Sequence, residues 1–294
     1  MTQRIGIVGL GVMGRAMAAN LAKDTDSVLG FDVSARTREA MAGTIQLSDT
    51  LAELAIITDL ILLSLPGPDS CHSVLNEVCA KAAPGTLVLD TSTVDPQTTR
   101  DLAAQAVASG LLFIAAPVIG GQTGAENAAL TIIAGGSPQA LEQAKPTLQR
   151  IGSDIHFVDS PPTAAALKLL NNLMSLGNTL VFAEALALAA QVDVPAAVVH
   201  NVLRNGSGAS TAFDRRFTAN IEPGYYEPGF SVDLAIKDLR LVCGFAGGTG
   251  LSLPSAERTL AAFVGLADEG LGGKDVSVVV RWWEEKLGRR IGGA

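Results

Sequence analysis

A chain of 294 residues, 48% hydrophobic, is long enough for two domains or one large one with a sizeable core. Its formal net charge of −8 excludes the global positive field that a nucleic-acid or membrane-surface partner would need. The three cysteines (Cys71, Cys79, Cys243) have no CxxC spacing, and His72, His156 and His200 are scattered, so neither a disulfide framework nor a metal cluster is expected.

The opening Met1-Thr2-Gln3-Arg4 runs into a strand with no signal-peptide core, which predicts a cytoplasmic, soluble protein. Residues 4–8 are a short β-rich run. They end in Gly9-Leu10-Gly11-Val12-Met13-Gly14, after which Ala16, Met17 and Leu21 set a helical pattern. This is the strand, glycine turn and helix on which a dinucleotide pyrophosphate rests against helix N–H groups. Gly9 permits the tight turn, Gly11 lets the backbone approach the phosphates, and Gly14 packs the helix on the strand. The motif alone is weak, since glycines also simply make turns. A second strand over 27–31 ends on Asp32, ~20 residues past the glycines, where a carboxylate accepts both ribose hydroxyls of NAD. A 2′-phosphate would meet that carboxylate, with Arg36 and Arg38 as a partial offset, so NAD is expected over NADP.

The alternation continues. Residues 60–65 form an apolar run broken only by Ser64, as a central parallel strand does. Pro66-Gly67-Pro68 stops it, and Asp69 or Ser70 is expected to cap a helix reaching about Ala82. A strand over 86–89 leads into Asp90-Thr91-Ser92-Thr93-Val94-Asp95-Pro96, and a helix to Ser109 follows. After a strand over 112–116 comes the turn Pro117-Val118-Ile119-Gly120-Gly121. Residues 130–134 and 155–158 read as strands, with a helix from about Pro138 between them. Ser160-Pro161-Pro162 closes this half.

Residues 163–194 contain no proline and one glycine, and Ala and Leu dominate, so one long helix is predicted. Its faces are all apolar, and it is expected to be buried all round. Hydropathy alone would also admit a transmembrane reading of 173–190. Against that stand Asn178 and Glu184 inside the run and the absence of a flanking Lys/Arg cluster. Near the start, Lys168 and Asn172 share a face with Asn171 beside them, a costly polar group in apolar surroundings unless something binds there. After Val194 only helices and loops are expected: a helix from Pro195 to Leu203, and another over 230–242 that carries Lys237-Asp238. The expected organisation is a Rossmann dinucleotide-binding domain over 1–162 and an all-α domain over 163–294, joined by the long interdomain helix.

Five separated segments stand in order: Gly9 to Gly14; Asp90-Thr91-Ser92-Thr93; Gly120-Gly121; Lys168 with Asn171-Asn172; and Pro228-Gly229-Phe230 leading to Lys237-Asp238-Leu239. Together they resemble the β-hydroxyacid dehydrogenase family, which includes 3-hydroxyisobutyrate dehydrogenase and tartronate semialdehyde reductase, over nearly the whole chain. The resemblance implies hydride transfer between nicotinamide and a small β-hydroxy acid or its semialdehyde. It implies that Lys168 is the catalytic lysine and Asn172 the amide orienting the substrate. Ser92, Gly120 and Gly121 would cradle the substrate carboxylate. Leu65, Pro66, Ser70, Thr93 and Lys237 match positions lining the cofactor, and Lys237 also faces the substrate. A homodimer or homotetramer is implied as well.

Three positions depart from the family pattern, all on the substrate side. Ile119 stands where a serine is usual, and Pro162 and Ala164 stand where glycines are. The competing readings are an imine reductase of the same architecture, whose members usually lack the lysine, and a non-catalytic dinucleotide-binding protein. Decarboxylating 6-phosphogluconate dehydrogenase is similar in its first domain, but its usual chain is much longer.

Overall fold

Short apolar runs separated by glycine and proline turns build a parallel-rich sheet flanked by helices, and an all-helical part follows. The computed structural model describes residues 3–23 and 27–292. Met1 and Thr2, which head the expected first domain, lie outside the described residues, as do 24–26 and the terminal Gly293 and Ala294. The chain divides into two compact units, Met1–Leu169 and Leu170–Ala294.

In the first unit β1 (Ile5–Val8), α1 (Val12–Ala22) and β2 (Val28–Phe31) lead through α2 (Ala35–Glu39), β3 (Gln46–Leu47) and α3 (Leu51–Ile57) to β4 (Leu60–Leu63). Then come α4 (Pro68–Lys81), β5 (Leu87–Asp90), α5 (Pro96–Ala108) and β6 (Leu112–Ala115). The unit ends with β7 (Val118–Ile119), α6 (Gly121–Glu126), β8 (Leu130–Gly136), α7 (Pro138–Ile151) and β9 (Gly152–Val158). Strand order is β3-β2-β1-β4-β5-β6-β8-β7, with β9 also on β8. β1, β4 and β5 are buried along their whole length, which is why they read as unbroken apolar runs. The chain leaves β1 toward β2 and returns on its other side as β4, so a topological switch point lies between β1 and β4.

Four points differ from the sequence reading or complete it. The segment after β6 is not only a turn: β7 occupies part of it and pairs antiparallel with β8, which also runs antiparallel to β6. The elements α2, β3 and α3 fill the unassigned stretch before β4, and a capping box fixes α3. Its Thr50 hydroxyl accepts the Glu53 N–H at 3.2 Å, and the Glu53 carboxylate accepts the Thr50 N–H at 3.3 Å. Neither Asp69 nor Ser70 caps α4. Gly67, which has no side chain to bond, holds the cap position, and Pro68 at the first helical position starts the helix with its fixed φ.

The fourth point corrects the reading of the long helix α8 (Pro161–Gln191, 31 residues). Leu169, Leu176, Ala183 and Leu186 are buried, but Leu170, Met174, Val181 and Leu188 are 50%, 67%, 63% and 70% exposed. These four fall at helical spacing on one stripe. A helix this long presents more apolar face than the short helices of one chain cover. It is also long and apolar enough to cross a membrane by composition, a test that core helices of soluble proteins pass too.

The second unit adds α9 (Ala196–Leu203), α10 (Thr211–Arg216), α11 (Val232–Gly248), α12 (Pro254–Leu266) and α13 (Val279–Leu287), with no strand among the described residues. Its core joins Leu176, Phe182 and Leu186 of α8 to Phe213, Phe217, Leu239 and Phe263.

The loop from Asp90 to Asp95 is held at its far end by the α5 cap. The Asp95 carboxylate accepts the N–H groups of Gln97 and Thr98 at 2.9 and 3.0 Å. Burial alone would raise the Asp95 carboxyl, but the Thr98 hydroxyl and these N–H groups outweigh it and hold it below its ordinary value. Asp95→Ala should cost about 1 kcal/mol at neutral pH. A carboxyl depressed in the folded state stabilises above its unfolded pKa, and that contribution is lost as pH falls through the folded value. The difference between wild type and variant, read from urea unfolding at pH 7 and at successively lower pH, should therefore shrink toward acid. A deficit that stays constant would mean the cap does not act through its charge.

Candidate functional site

The nucleotide end is built from backbone. Gly9 has φ +91°, and a Cβ there would lie 2.2 Å from the Ser64 carbonyl oxygen, so only glycine lets the turn after β1 pass the end of β4. At Gly14 a Cβ would come within 1.8 Å of the Gly9 oxygen, so α1 packs against its own entry turn. Gly11 differs: a Cβ on it would meet nothing within 4 Å. It caps α1 without a side-chain bond and no acid lies in the first turn, so the N–H groups of Val12, Met13 and Gly14 open a helix of 11 residues to an anion. Two glycines enforced by packing and one facing open space are what a pyrophosphate needs, and the residues present fit a dinucleotide.

Asp32 is tied to the same corner. One carboxylate oxygen accepts the Leu10 N–H at 2.8 Å and the other the Ser34 N–H at 2.8 Å. Each oxygen keeps a lone pair for a ribose hydroxyl. Arg38 donates to the Asp32 carbonyl and lies 5.7 Å from the centre of the Phe31 ring, so it stays beside this strand end, while Arg36 is exposed.

Beyond β4, Leu65 and Pro66 bridge to α4, with half-buried Ser70 in the first turn of that helix. The Ser92 hydroxyl accepts the Leu65 N–H at 2.9 Å, and the Ser92 N–H goes to Asp90 at 2.9 Å. Burial pushes the Asp90 carboxyl up, against the opposing hydrogen bonds from Ser92. Ser92 is thus joined to Leu65 and Asp90, and its neighbour Thr93 is half-buried; the cap of α5 belongs to Asp95 and not to Thr93.

At the other end of the sheet β7 leads into Gly120 and Gly121, with φ +134° and +63°, and these open α6. Ile119 packs into the core cluster with Leu63 and Ile133, and so does Ala164 in the first turns of α8. Lys168 Nζ donates to the Val118 carbonyl at 2.8 Å. The ammonium is therefore anchored two residues before the paired glycines.

The second unit holds a separate polar cluster. Asn172 Nδ2 donates to Asp238 at 2.6 Å, and the other Asp238 oxygen lies 2.8 Å from Lys237 Nζ. That oxygen is buried without an aligned hydrogen bond, so the Lys237 contact is charge proximity. Asn171 Nδ2 donates to Asn172 Oδ1 at 3.0 Å. Because a carboxylate only accepts, Asp238 fixes which way the Asn172 amide points. Asp238 is 2% exposed, which rules out a solvated surface pair with Lys237. It was not among the expected site residues. The signal was present in a carboxylate three residues after Ala235 and four before Val242, on the buried apolar face of a helix.

The chain is similar to known proteins over nearly its whole length. Residues 4–159 match the family described as the NAD binding domain of 6-phosphogluconate dehydrogenase. Residues 163–283 match that described as NAD-binding of NADP-dependent 3-hydroxyisobutyrate dehydrogenase. The chain is 33% identical to the 2-(hydroxymethyl)glutarate dehydrogenase of Eubacterium barkeri, over 99% of this chain and 98% of that one. It is 32% identical to the mitochondrial 3-hydroxyisobutyrate dehydrogenase of Drosophila melanogaster, over 94% and 88%. The solved structure of Mycobacterium tuberculosis 3-hydroxyisobutyrate dehydrogenase with L-serine superposes with a TM-score of 0.86 at 27% identity, covering 96% of this chain and 99% of that one. With two family models and these relatives spanning nearly the whole chain, the chain belongs to the β-hydroxyacid dehydrogenase family, NAD(P)-dependent oxidoreductases that act on the hydroxyl group of small hydroxy acids.

Proposed function

We propose that this protein interconverts a small β-hydroxy acid and its semialdehyde with NAD, and that Lys168 moves the proton. The observation that carries this reading is the 2.8 Å bond from Lys168 Nζ to Val118, which holds an amine beside the Gly120–Gly121 turn. Bound nicotinamide supplies the hydride acceptor. In the oxidative direction a neutral Lys168 amine takes the hydroxyl proton as hydride leaves the carbon. Asn172, its amide fixed by Asp238, orients the hydroxyl. The Ser92 hydroxyl and the N–H groups of Gly120 and Gly121 receive the substrate carboxylate, and the same hydroxyl steadies the neighbouring Leu65 backbone. Gly9 to Gly14, Asp32, Leu65, Pro66, Ser70, Thr93 and Lys237 line the cofactor in this proposal. Residues 1–162 form the nucleotide domain and 163–294 the substrate and oligomer domain of a cytoplasmic enzyme.

Ile119, turned into the core, offers no hydroxyl to the substrate head, so the acid contact falls to backbone. Retention of Lys168 disfavours imine reduction, where the family's relatives usually lack it.

The lysine assignment is tested by two substitutions. Lys168→Ala should lose about 10²–10⁴-fold in kcat, while NADH binding followed by fluorescence is kept. Lys168→Arg should be nearly as poor, because a guanidinium does not release its proton at neutral pH. Near-wild-type kcat in the arginine variant would transfer the proton to another residue.

Asp32, facing the ribose end with Arg36 exposed, supports NAD over NADP by about tenfold in kcat/KM, a difference of about 1.4 kcal/mol. Initial rates with the two cofactors decide it, and equal turnover sinks the preference.

The exposed stripe Leu170, Met174, Val181 and Leu188 supports a homodimer or homotetramer built on the second domain. Light scattering at micromolar concentration should report more than one copy, and Met174→Glu with Val181→Glu should dissociate it. A monomeric wild type ends this proposal.

A further inference from the structure

The helical unit contains a cavity of about 440 Å³, and none of the residues assigned above to cofactor or substrate lines it. Its size is that of a small-molecule pocket. The end of α13 builds it. That helix stops at Gly288, which takes the left-handed conformation, and the chain turns back on itself. The Glu284 carboxylate accepts the N–H groups of Ile291 and Gly292 at 2.7 and 2.8 Å, tying the turned segment to the helix it has just left. At Gly292 a Cβ would lie 2.3 Å from the Ile221 carbonyl oxygen, so packing fixes the segment as well. Arg289 and Arg290 thus line the same cavity as Arg281 from a pinned turn.

The guanidinium groups there are lightly used. Arg281 Nε stands 3.4 Å from Glu285, and Arg289 Nη2 donates to Asp193 at 2.6 Å. Arg290 has neither a hydrogen bond nor an ion pair among the described residues. Each guanidinium carries five donors, so most of the donors around the cavity are uncommitted. Three cations meet two carboxylates, Glu284 and Glu285, which leaves a positive spot on a protein of net charge −8.

A second, independent feature is Tyr226. It lines the cavity and is 8% exposed, and its buried hydroxyl has no hydrogen-bond partner among the described residues. Such a group carries a desolvation cost that an incoming oxygen would recover. Burial first, then Glu284, push the phenol up to about 12 against the opposing charges of Arg281 and Arg290, so at neutral pH the hydroxyl keeps its proton and donates. The same charges show that the polar end of the ring stands among the groups of the cavity.

We propose that this cavity binds a phosphorylated small molecule, with Arg281, Arg289 and Arg290 holding the phosphate and the Tyr226 hydroxyl donating to one of its oxygens. Three guanidinium groups and a hydroxyl offer more donors than the two oxygens of a carboxylate accept, whereas a phosphate monoester brings three oxygens and close to two charges. The remaining volume takes the organic body.

The test is calorimetric titration of the full chain saturated with NADH, which occupies the glycine turn. The probes are glycerol 3-phosphate and inorganic phosphate, with glycerol as the uncharged control. Glycerol 3-phosphate should bind at least as tightly as inorganic phosphate, and glycerol should not bind. Arg290→Gln should weaken both phosphates about 10- to 100-fold and leave the melting temperature unchanged, since Arg290 makes no bond in the fold. Tyr226→Phe should weaken them about 3- to 10-fold without lowering the melting temperature of the phosphate-free protein, because the hydroxyl it removes has no partner there. A hydroxyl with a purely structural role would do the reverse, lowering the melting temperature and sparing the affinity, and that overturns the proposal. Binding left intact by Arg290→Gln lies elsewhere on the protein and also overturns it. So does an ester weaker than inorganic phosphate, or a wild type that binds neither.

Discussion

The nucleotide half depends on how closely two backbone segments approach at the β1–β4 switch point. The turn at Gly9 runs against the Ser64 carbonyl, and Gly14 runs against Gly9, with no room for a Cβ at either position. This contact sets the direction of α1 and so aims its free N–H groups past Gly11, where space is open. Asp32 is then tied to Leu10 by a backbone N–H, so the carboxylate and the glycine turn belong to a single rigid corner. Rigidity here matters more than the strength of any bond, since positioning is the protein's contribution when a cofactor carries the chemistry.

This corner was legible in the sequence because it is local. Glycine spacing, the β-run before it and the acid at the end of the next strand all lie within one βαβ unit, and each has a conformational reason that no distant residue changes. Lys168 and Asn172 were legible for a related reason, as polar groups in an apolar helix that require an explanation. What escaped was non-local. The two residues of β7 carry no strand pattern of their own and are held by pairing to β8. Likewise the partner of Asp238 is not local: the fold sets it against Asn172, 66 positions earlier. The capping box at Thr50 and Glu53 was readable in principle and stood in a stretch given no element.

The long helix shows a different limit. Composition gave its extent to within a few residues, yet apolar faces on all sides do not say which are covered by the same chain. Leu176, Phe182 and Leu186 meet the second unit's core, while the stripe through Met174 and Val181 does not. Burial of an apolar side chain is favourable by about 1.5–3 kcal/mol, so a stripe of this length left in water is a substantial unrealised stabilisation. Mean hydropathy treats both faces alike; only side-chain direction separates them.

Charge follows the same logic at shorter range. A protein of net charge −8 has no long-range field to draw an anionic substrate, and at ordinary ionic strength such a field would fade within about 8–10 Å. Selection of an anion must therefore come from a few desolvated donors. Inside the second unit the buried acids are answered from within the chain: Asp238 by Asn172 and Lys237, Asp275 by Ser277 and Phe230. That compensation is unequal: each Asp275 oxygen holds a hydrogen bond, whereas one Asp238 oxygen has only the Lys237 charge beside it, so Asp238 depends on its lysine neighbour as Asp275 does not.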